Sequence, residues 1–286
     1  MAIESVVGLD HIVVVVRDLD TAAETWRGLG FTLSPRGLHS AAMGTANHTM
    51  MLGEDYLELL GVVAATDRNA PTRALLAKRE GIERAAFTTL DAAAGVAALR
   101  ARGYVNAIGP TDFSRPVDLA DGRVTEAKFS TFQWPLDERP AGLRIFACQH
   151  FTRDAVWLPE LMQHANGAHR IDHLELLSAD PVAAAAHMAR LIDRPVGTDA
   201  DGAPRVESGG GRAAFVFVNR ALLIARHPGV PLDAMPVEGP VVLSLRVEDA
   251  ERTATALGDK GITTAPGVVK VRPALANGVL LEFAEG

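Results

Sequence analysis

The sequence predicts an α+β fold made of four copies of one βαβββ module, and three observations carry this prediction. A pattern of strand, capping aspartate and helix recurs four times along the chain. Each copy is followed by short apolar or alternating runs separated by glycine, proline and aspartate, which is typical of antiparallel strands. The copies lie farther apart in the middle of the chain than on either side. The four modules are therefore expected to form two pairs.

The first copy of the pattern lies at the beginning of the chain. Gly8-Leu9-Asp10-His11 leads into the β-branched run from Ile12 to Val16, which is typical of a strand. Asp18 and Gly30 then bound a helical stretch. An aspartate before a helix accepts hydrogen bonds from the free N–H groups of the first turn, and glycine adopts the left-handed conformation that ends many helices. The module is predicted to begin with a strand and a capped helix.

The same pattern returns further along the chain. The capping aspartates of the four copies are Asp18, Asp91, Asp180 and Asp249. The position eight residues after each aspartate is apolar and holds Trp26, Leu99, Met188 and Leu257. An apolar residue that recurs at this position marks the helix face that packs on a sheet. The third copy lacks a closing glycine, so its helix is expected to end by way of Pro195.

Short strands are predicted after each helix. They are expected at 31–33, 46–52 and 56–62 in the first module, and at 106–108, 124–133 and 143–149 in the second. The third module is expected to contain 204–207, 213–218 and 221–225, and the fourth, which is shorter, 267–271 and 279–283. Polar residues 112–122 are predicted to form a loop that could cover a site. The glycines at 209–211 are predicted to form a hairpin turn.

The longer gap in the middle of the chain predicts a linker. It contains Pro159, Asn166 and Gly167, which interrupt regular structure. We therefore place one domain at 1–150, a linker at 151–168 and a second domain at 169–286.

Composition excludes several classes of partner. A formal net charge of -7 argues against binding to nucleic acid or to an anionic membrane, because both require attraction to a polyanion. A single cysteine, Cys148, is typical of a reducing compartment, so we expect a cytoplasmic location and an inert packed thiol. Residues 1–8 have no basic region before an apolar stretch, so no secretion signal is expected. A small molecule is the expected partner.

Three stretches of the first module carry a family resemblance. They are Gly8-Leu9-Asp10-His11, Gly44-Thr45-Ala46-Asn47 and Tyr56-Leu57-Glu58-Leu59-Leu60. With the repeated βαβββ pattern, they resemble the vicinal oxygen chelate superfamily and, within it, the glyoxalase-like proteins. The resemblance implies that each pair of modules curls into a half-barrel. It also implies a divalent metal (Zn, Fe, Mn or Ni) that is bound by side chains of the first and last strands and chelates oxygens of a substrate.

The positions that the resemblance assigns to metal ligands are only half filled. The first-strand position holds His11, Arg84, His173 and Val242 in the four modules, and the last-strand position holds a carboxylate only as Glu58 and Glu282. Metal-binding members show about three or four protein ligands, so each domain carries an incomplete set. His11, Glu58 and a third ligand, His48, are the candidates in the first domain. His173 and Glu282 are interpreted as remnants of the duplication.

Further candidates for a third ligand are Gln133 and His150. His48 is preferred because it lies beside Asn47 on a strand expected to line the concave face. Strand alternation, however, allows only one of these two neighbours to point inward.

Two functions from different classes follow. The first is a metal-assisted lyase, isomerase or dioxygenase that acts on a small oxygen-rich metabolite, with Glu58 as the catalytic carboxylate. The second is a protein that binds a small molecule without chemistry. Substrate-binding candidates are Arg84, Asn47, Phe129, Phe132 and Trp134. His11 could instead be a packed sheet histidine whose ring bonds to a neighbour. In a third and separate alternative, the second domain is purely structural and mediates a homodimer.

Arg84 distinguishes two arrangements of the site. A guanidinium only donates hydrogen bonds and cannot coordinate a cation. Arg84 is therefore expected either to pair with Glu58 or to anchor an anionic group of a substrate, and the anchor is preferred because His11 lies in the same module as Glu58.

Overall fold

The computed structural model describes residues 6–119, 122–231 and 235–286. Within these residues, the first half of the chain contains the strands β1 (Val6–Val16), β2 (Gly37–Leu38), β3 (Thr45–Met51), β4 (Tyr56–Val62), β5 (Gly81–Thr89), β6 (Ile108–Asp118), β7 (Val124–Gln133) and β8 (Arg144–His150). Its α-helices are α1 (Leu19–Arg27), α2 (Ala70–Leu76) and α3 (Ala92–Ala101).

The second half repeats this arrangement. Its strands are β9 (Ala168–Leu177), β10 (Val196–Thr198), β11 (Pro204–Glu207), β12 (Ala214–Val218), β13 (Gly239–Val247), β14 (Gly261–Ala265), β15 (Val268–Val271) and β16 (Leu280–Glu285). Its α-helices are α4 (Pro181–Ile192), α5 (Arg220–Arg226) and α6 (Ala250–Leu257).

Each half forms one eight-stranded sheet, and the two sheets have the same topology. The strand orders are β2-β3-β4-β1-β5-β8-β7-β6 and β10-β11-β12-β9-β13-β16-β15-β14. In both sheets the first strands of two modules pair antiparallel at the centre, and each also pairs in parallel with the last strand of its own module. The first sheet curves until β2 contacts β6. The predicted α+β fold, with four modules paired into two half-barrels, is confirmed.

The helix starts follow the predicted capping pattern. The carboxylates of Asp18, Asp91, Asp180 and Asp249 all accept hydrogen bonds from backbone N–H groups of the first turn. The apolar residues eight positions later are fully or almost fully buried. Helix α4, which belongs to the third module, is followed by Asp193, which adopts φ of 58°. Asp193 thus adopts the left-handed conformation that glycine was expected to adopt at the helix ends of the other modules.

Several strand predictions were wrong. Residues 31–33 form no strand, and the second strand is the short β2. Residues 112–122 were predicted as a loop, but most of them belong to β6, which forms a long hairpin with β7. Residues 221–225 lie in the helix α5, because Asn219 caps a helix there by accepting a hydrogen bond from the Leu222 N–H. The fourth module has three strands after its helix and is not truncated.

The central strand β1 separates two environments. Ile12 and Val14 belong to a hydrophobic core that contains the inner helix faces and residues of both sheets. Val13 and Val15 belong to a separate cluster on the opposite, concave face. Because side chains alternate along a strand, His11 shares the concave face with Val13. The alternation therefore places the histidine of the Asp-His pair inside the half-barrel.

The two halves contact each other through backbone as well as side chains. The glycines at 209–211 form the predicted turn, between β11 and β12, and all three have positive φ. A Cβ atom on Gly8 would lie only 2.3 Å from the carbonyl oxygen of Gly209, so this close approach requires glycine. Next to it, Arg212 Nη1 donates to the carbonyl of Leu9 at 2.9 Å. The turn of the second half is thus fixed against β1 of the first.

The linker is fixed to both halves by hydrogen bonds. Asn166 is fully buried, and its side chain donates to the Leu29 carbonyl at 2.8 Å and accepts from the Ala168 N–H at 3.0 Å. His164 accepts from the Thr32 N–H and donates to the Met51 carbonyl. Within the described ranges, no helix is long and apolar enough to cross a membrane.

We expect Asn166→Ala to lower the free energy of unfolding by about 2–4 kcal/mol, because it leaves a buried carbonyl and a buried N–H without partners. Chemical denaturation measures the effect. Asn106→Ala is the matched control, since Asn106 is exposed and its substitution should change stability by less than about 0.5 kcal/mol. Equal stability of the two variants would contradict this account of the linker.

Candidate functional site

The concave face of the first sheet carries two adjoining cavities. The inner cavity has a volume of about 100 Å³ and is lined by residues that include His11, Asn47 and Glu58. The outer cavity has a volume of about 460 Å³. The residues that line both, which we call the throat, are Met43, Leu60, Arg84, Phe113, Thr131 and Gln133.

His11 presents one ring nitrogen to the inner cavity. Its Nδ1 lies 2.7 Å from Asp10 Oδ1, within hydrogen-bond distance. Its Nε2 lies 3.6 Å from Glu58 Oε2. The ring stacks on Tyr56 with a centroid distance of 4.2 Å. His11 is therefore held in one orientation, with Nε2 directed to the cavity.

Asp10 is the buried centre of this arrangement. Its carboxylate also accepts hydrogen bonds from His150 Nε2 at 3.1 Å and from Thr88 Oγ1 at 2.7 Å. Burial alone would raise the pKa of Asp10, but the two histidines reverse this effect and hold it well below its usual range. Arg212 donates to the Thr88 hydroxyl, so a residue of the second half also stabilises this network.

Glu58 shares the inner cavity with an amide and a second imidazole. Asn47 Nδ2 donates to Glu58 Oε1 at 2.7 Å. His39 Nε2 lies 3.8 Å from the same oxygen, while His39 Nδ1 contacts the Thr45 hydroxyl at 2.7 Å. Burial lowers the pKa of His39 despite the opposing charge of Glu58, and the nearby Arg115 lowers it further. Sequence analysis missed His39 because it lies just after β2, outside any repeated strand position.

His48 is on the wrong face for a third ligand. Asn47 and Thr49 line the inner cavity, whereas His48 is buried on the opposite side of β3 and its Nδ1 contacts the Ser34 carbonyl at 2.8 Å. The alternation along β3 thus directs Asn47, and not His48, into the inner cavity. The expectation that His48 joins His11 and Glu58 does not hold.

The aromatic candidates divide between the cavity and the core. Phe129 lines the inner cavity and stacks on Phe113 with a centroid distance of 4.9 Å. Phe132 instead packs under helix α3, where a Cβ on Gly95 would lie 2.2 Å from its ring. Trp134 is also buried in the core and donates to the Leu191 carbonyl of the second half. Neither of the latter two forms the expected cavity wall.

Arg84 lines both cavities but does not pair with Glu58. Its Nε donates to Glu83 Oε2 at 2.7 Å and its Nη2 to the Thr72 hydroxyl at 2.9 Å. Glu83 also accepts from Arg144 Nη1 at 2.6 Å. Burial would raise the pKa of Glu83, but the two guanidinium groups lower it, so this carboxyl is ionised. The expected alternative of an Arg84–Glu58 pair is therefore wrong.

Three further residues considered in the sequence analysis are Gln133, His150 and Cys148. Gln133 lies in the throat and contacts Arg144 at 3.5 Å. His150 contacts Asp10 and not the cavity ligands. Cys148 lines the inner cavity, and burial raises its pKa well above the usual value, so the thiol stays protonated and unreactive.

One signal in the sequence could have predicted these pairs. A carboxylate directly precedes the first-strand candidate in three modules, as Asp10-His11, Glu83-Arg84 and Asp172-His173. In each case the carboxylate bonds to its neighbour in the folded protein.

A family model described as a glyoxalase-like domain matches residues 9–192. The chain belongs to the glyoxalase-like domain family. The match spans the first sheet, the linker and the start of the second half, and it confirms the resemblance to the vicinal oxygen chelate superfamily. No significant match is found among curated proteins.

Solved structures share the whole glyoxalase-like fold at low sequence identity. A hypothetical protein from Staphylococcus aureus superposes with a TM-score of 0.69 at 14% identity, over 97% of this chain and 99% of that one. A mutant of 4-hydroxymandelate synthase from Streptomyces coelicolor gives 0.62 at 13% identity, over 98% and 93%. A xylose isomerase-like TIM barrel/4-hydroxyphenylpyruvate dioxygenase fusion protein gives 0.56 at 14% identity, over 98% of this chain and 48% of that one.

The second half of this glyoxalase-like protein has its own polar cluster beside a surface cavity of about 430 Å³. His173 Nδ1 donates to Asp172 at 2.7 Å, and its Nε2 lies 3.8 Å from Glu175. Although burial opposes it, hydrogen bonds and charges from these two carboxylates raise the pKa of His173 to about 9. His173 is therefore a cation at neutral pH and cannot bind a metal in that state.

Glu282 is neutralised by a lysine that sequence analysis missed. The ammonium of the buried Lys270 lies 3.0 Å from Glu282 Oε2, 2.8 Å from His227 Nδ1 and 3.0 Å from the Arg226 carbonyl. Three acceptors match the three donors of an ammonium group. His227 in turn bonds to Glu175 at 2.9 Å. A fixed side-chain cation thus occupies the polar centre of the second half.

The inner cavity contains two of the donors that a metal site requires. Among residues 6–119, 122–231 and 235–286, no three histidine, cysteine, aspartate or glutamate side chains are already clustered as a metal site. His11 and Glu58 nevertheless provide one imidazole nitrogen and one carboxylate oxygen in the same buried cavity. A carboxylate that fixes the tautomer of such a histidine is typical of metal sites.

Glu83→Gln is expected to lower the free energy of unfolding by about 3–5 kcal/mol, because two buried guanidinium groups lose the charge that compensates them. Glu54→Gln serves as the matched control, since the Glu54 side chain is 73% exposed and its ion pairs should contribute less than about 1 kcal/mol. Urea titrations of both variants measure the difference. Similar losses in the two would show that Glu83 does not hold the arginines.

His173 predicts a specific dependence of stability on pH. The folded pKa of about 9 exceeds the usual value of 6.5, so its stabilisation is complete below pH 6.5 and is lost as pH rises through 9. Over that interval, we expect wild type to lose up to about 3 kcal/mol more stability than His173→Gln. Urea titrations at several pH values test this. Parallel profiles of wild type and variant would contradict it, and Asp172→Asn should flatten the profile in the same way.

Proposed function

We propose that the protein is an enzyme that acts on a small oxygen-rich metabolite in the inner cavity, with assistance from a divalent metal. The observation that carries the proposal is Nε2 of His11, which lies 3.6 Å from the Glu58 carboxylate inside a buried, largely apolar cavity. The proposed reaction classes are lyase, isomerase and dioxygenase chemistry. All three classes can use a metal held by imidazole and carboxylate ligands.

The donor chemistry fits a borderline divalent ion. His11 and Glu58 would hold it, and His39 is the third donor that the structure adds, since its Nε2 lies 3.8 Å from Glu58. Imidazole and carboxylate suit Zn, Fe, Mn and Ni. When bound, such a metal would polarise a substrate oxygen and leave open positions for it.

The side chains around these donors have separate tasks. Asp10 orients the His11 ring through Nδ1, so that Nε2 is directed to the cavity. Asn47 orients the Glu58 carboxylate through Oε1 and leaves Oε2 free to bind a ligand or to accept a proton. The rings of Tyr56 and Phe129, with Val13, exclude water from the chamber, which strengthens the electrostatic interactions inside it.

The fold neighbours support enzymatic chemistry only in general terms. One is named as a 4-hydroxymandelate synthase mutant and another as containing a 4-hydroxyphenylpyruvate dioxygenase, which keeps dioxygenase chemistry among the proposed classes. One scaffold serves many reactions, so the assignment depends on the site itself. We also propose that the protein acts in the cytoplasm, because Cys148 is a free buried thiol.

A second candidate function is a binding protein that performs no chemistry. Two observations favour it: the described residues contain no ready-made cluster of three metal donors, and the stacked Phe113 and Phe129 rings form an apolar ligand wall. In this case, Glu58 and Asn47 would hydrogen-bond a ligand.

Metal titration distinguishes the two functions. We expect purified wild type to retain or take up about one divalent ion per chain, and Glu58→Gln and His11→Gln to weaken this binding at least tenfold. His48→Gln is the matched control, because this buried histidine lies on the opposite face of β3 and should leave affinity unchanged. Elemental analysis and calorimetry provide the measurements.

Absence of metal in the wild type, both as purified and after titration with Zn, Fe, Mn and Ni, would reject the enzyme proposal in this form. If the same protein then bound a small molecule and released it unchanged, the second candidate function would take its place.

A further inference from the structure

The throat and the cavity walls next to it together carry an excess of positive charge. The charged residues that line the inner cavity include Arg84, Arg115 and Glu58, and Arg144 lines the outer one. Glu83, behind them, is the single carboxylate shared by Arg84 and Arg144. Three guanidinium groups therefore face two carboxylates, and one positive charge is left without compensation.

Arg84 is fixed in place but keeps a free donor. Glu83 and Thr72 engage its Nε and Nη2. Its Nη1 has no hydrogen-bond partner among the residues that the structure describes, and the side chain is 20% exposed. A guanidinium held rigidly by one carboxylate loses little further entropy when it binds another. Arg84 is thus preorganised to donate into the throat.

Arg115 is a second cation that lines the inner cavity. It lies on β6 and makes no ion pair or side-chain hydrogen bond with any residue of the described ranges. Because no carboxylate of the described residues compensates it, the charge of Arg115 remains available to a ligand.

Charges at the rim do not remove this excess. Asp67, Arg68 and Asp112 also line the outer cavity, but all three are exposed. Solvent and salt screen exposed charges strongly, whereas partly buried guanidinium groups act on a ligand at short range. The uncompensated charge is therefore located at the throat and the inner cavity and not at the rim.

Cavity size and apolar lining define the rest of the ligand. A volume of about 100 Å³ in the inner cavity is below the range of about 300–1,000 Å³ typical of small-molecule sites. The ligand must then extend through the throat into the outer cavity of about 460 Å³. Phe113 lines both spaces and stacks on Phe129, which provides an aromatic wall along this path.

We propose that the substrate is a carboxylic acid whose carboxylate is held by Arg84 of the throat and Arg115 of the inner cavity, with its apolar part against Phe113. The reacting end then lies beside His11 and Glu58, and this last point rests on the proposed function. An excess of one positive charge matches a carboxylate better than a phosphate, which carries up to two negative charges near neutral pH. Glu83 and Arg144 act as positioning residues for Arg84.

The experiment measures binding to the full-length protein after chelator treatment, so that neither metal nor turnover is required. The probes are phenylacetate, its neutral amide phenylacetamide, and inorganic phosphate, followed by calorimetry and ligand-observed NMR. Phenylacetate is expected to bind, and phenylacetamide to bind at least about tenfold more weakly, as expected for loss of a charge-assisted hydrogen bond.

Arg115→Gln is the principal variant, because Arg115 supports no ion pair in the described structure and its loss should leave stability unchanged. We expect it to weaken phenylacetate binding about tenfold or more, and Arg84→Gln to do the same, with folding checked by denaturation. Arg68→Gln, an exposed arginine at the rim, is the matched control and should change affinity less than about twofold.

Three results would overturn the proposal: no saturable binding of phenylacetate to wild type, equal affinity for the amide, or unchanged affinity in Arg115→Gln. Tighter binding of phosphate than of phenylacetate would assign the throat to a phosphate group instead. Phenylacetate binding by a protein that takes up no metal would reject the proposed function while supporting the carboxylate site.

Discussion

The arrangement of the site depends on one buried carboxylate, that of Asp10. A fully buried carboxylate is costly unless several donors compensate it, and here His11, His150 and Thr88 supply them. These bonds fix the orientation of the His11 ring, and so determine that Nε2 is the ring nitrogen that faces Glu58. The chemistry available in the inner cavity follows from a residue that does not line it.

This dependence explains why the two halves form one structural unit. Arg212 of the second half donates to Thr88 and to the Leu9 carbonyl, so the network around Asp10 is completed across the interface. The close approach of Gly8 to Gly209 brings the turn near enough for these bonds. The second half therefore contributes to the geometry of the first-half site. In its own polar cluster, Lys270 bonds to His227 and Glu282.

The modules keep one backbone while their polar positions diverge. The same strand position holds an imidazole in the first module, a guanidinium in the second and a protonated imidazole in the third. In each, the preceding carboxylate bonds to its neighbour and orients it. Duplication has thus produced an imidazole at His11 and a fixed cation at Arg84 in one cavity, which together suit an anionic, oxygen-bearing ligand better than two identical metal sites would.

The sequence by itself determined the repeat, the helix starts and the presence of His11 and Glu58 on adjacent central strands, because caps and strand patterns are local and recur at regular spacing. It could not determine which face of β3 turns inward, so His48 was favoured where the fold uses Asn47. A shift of one residue in register exchanges the two faces of a strand, and that register depends on pairing with distant strands. The proximity of His39 to Glu58 was likewise decided only by the tertiary structure. The curvature of the sheet brings these two segments together, and no local sequence pattern relates them.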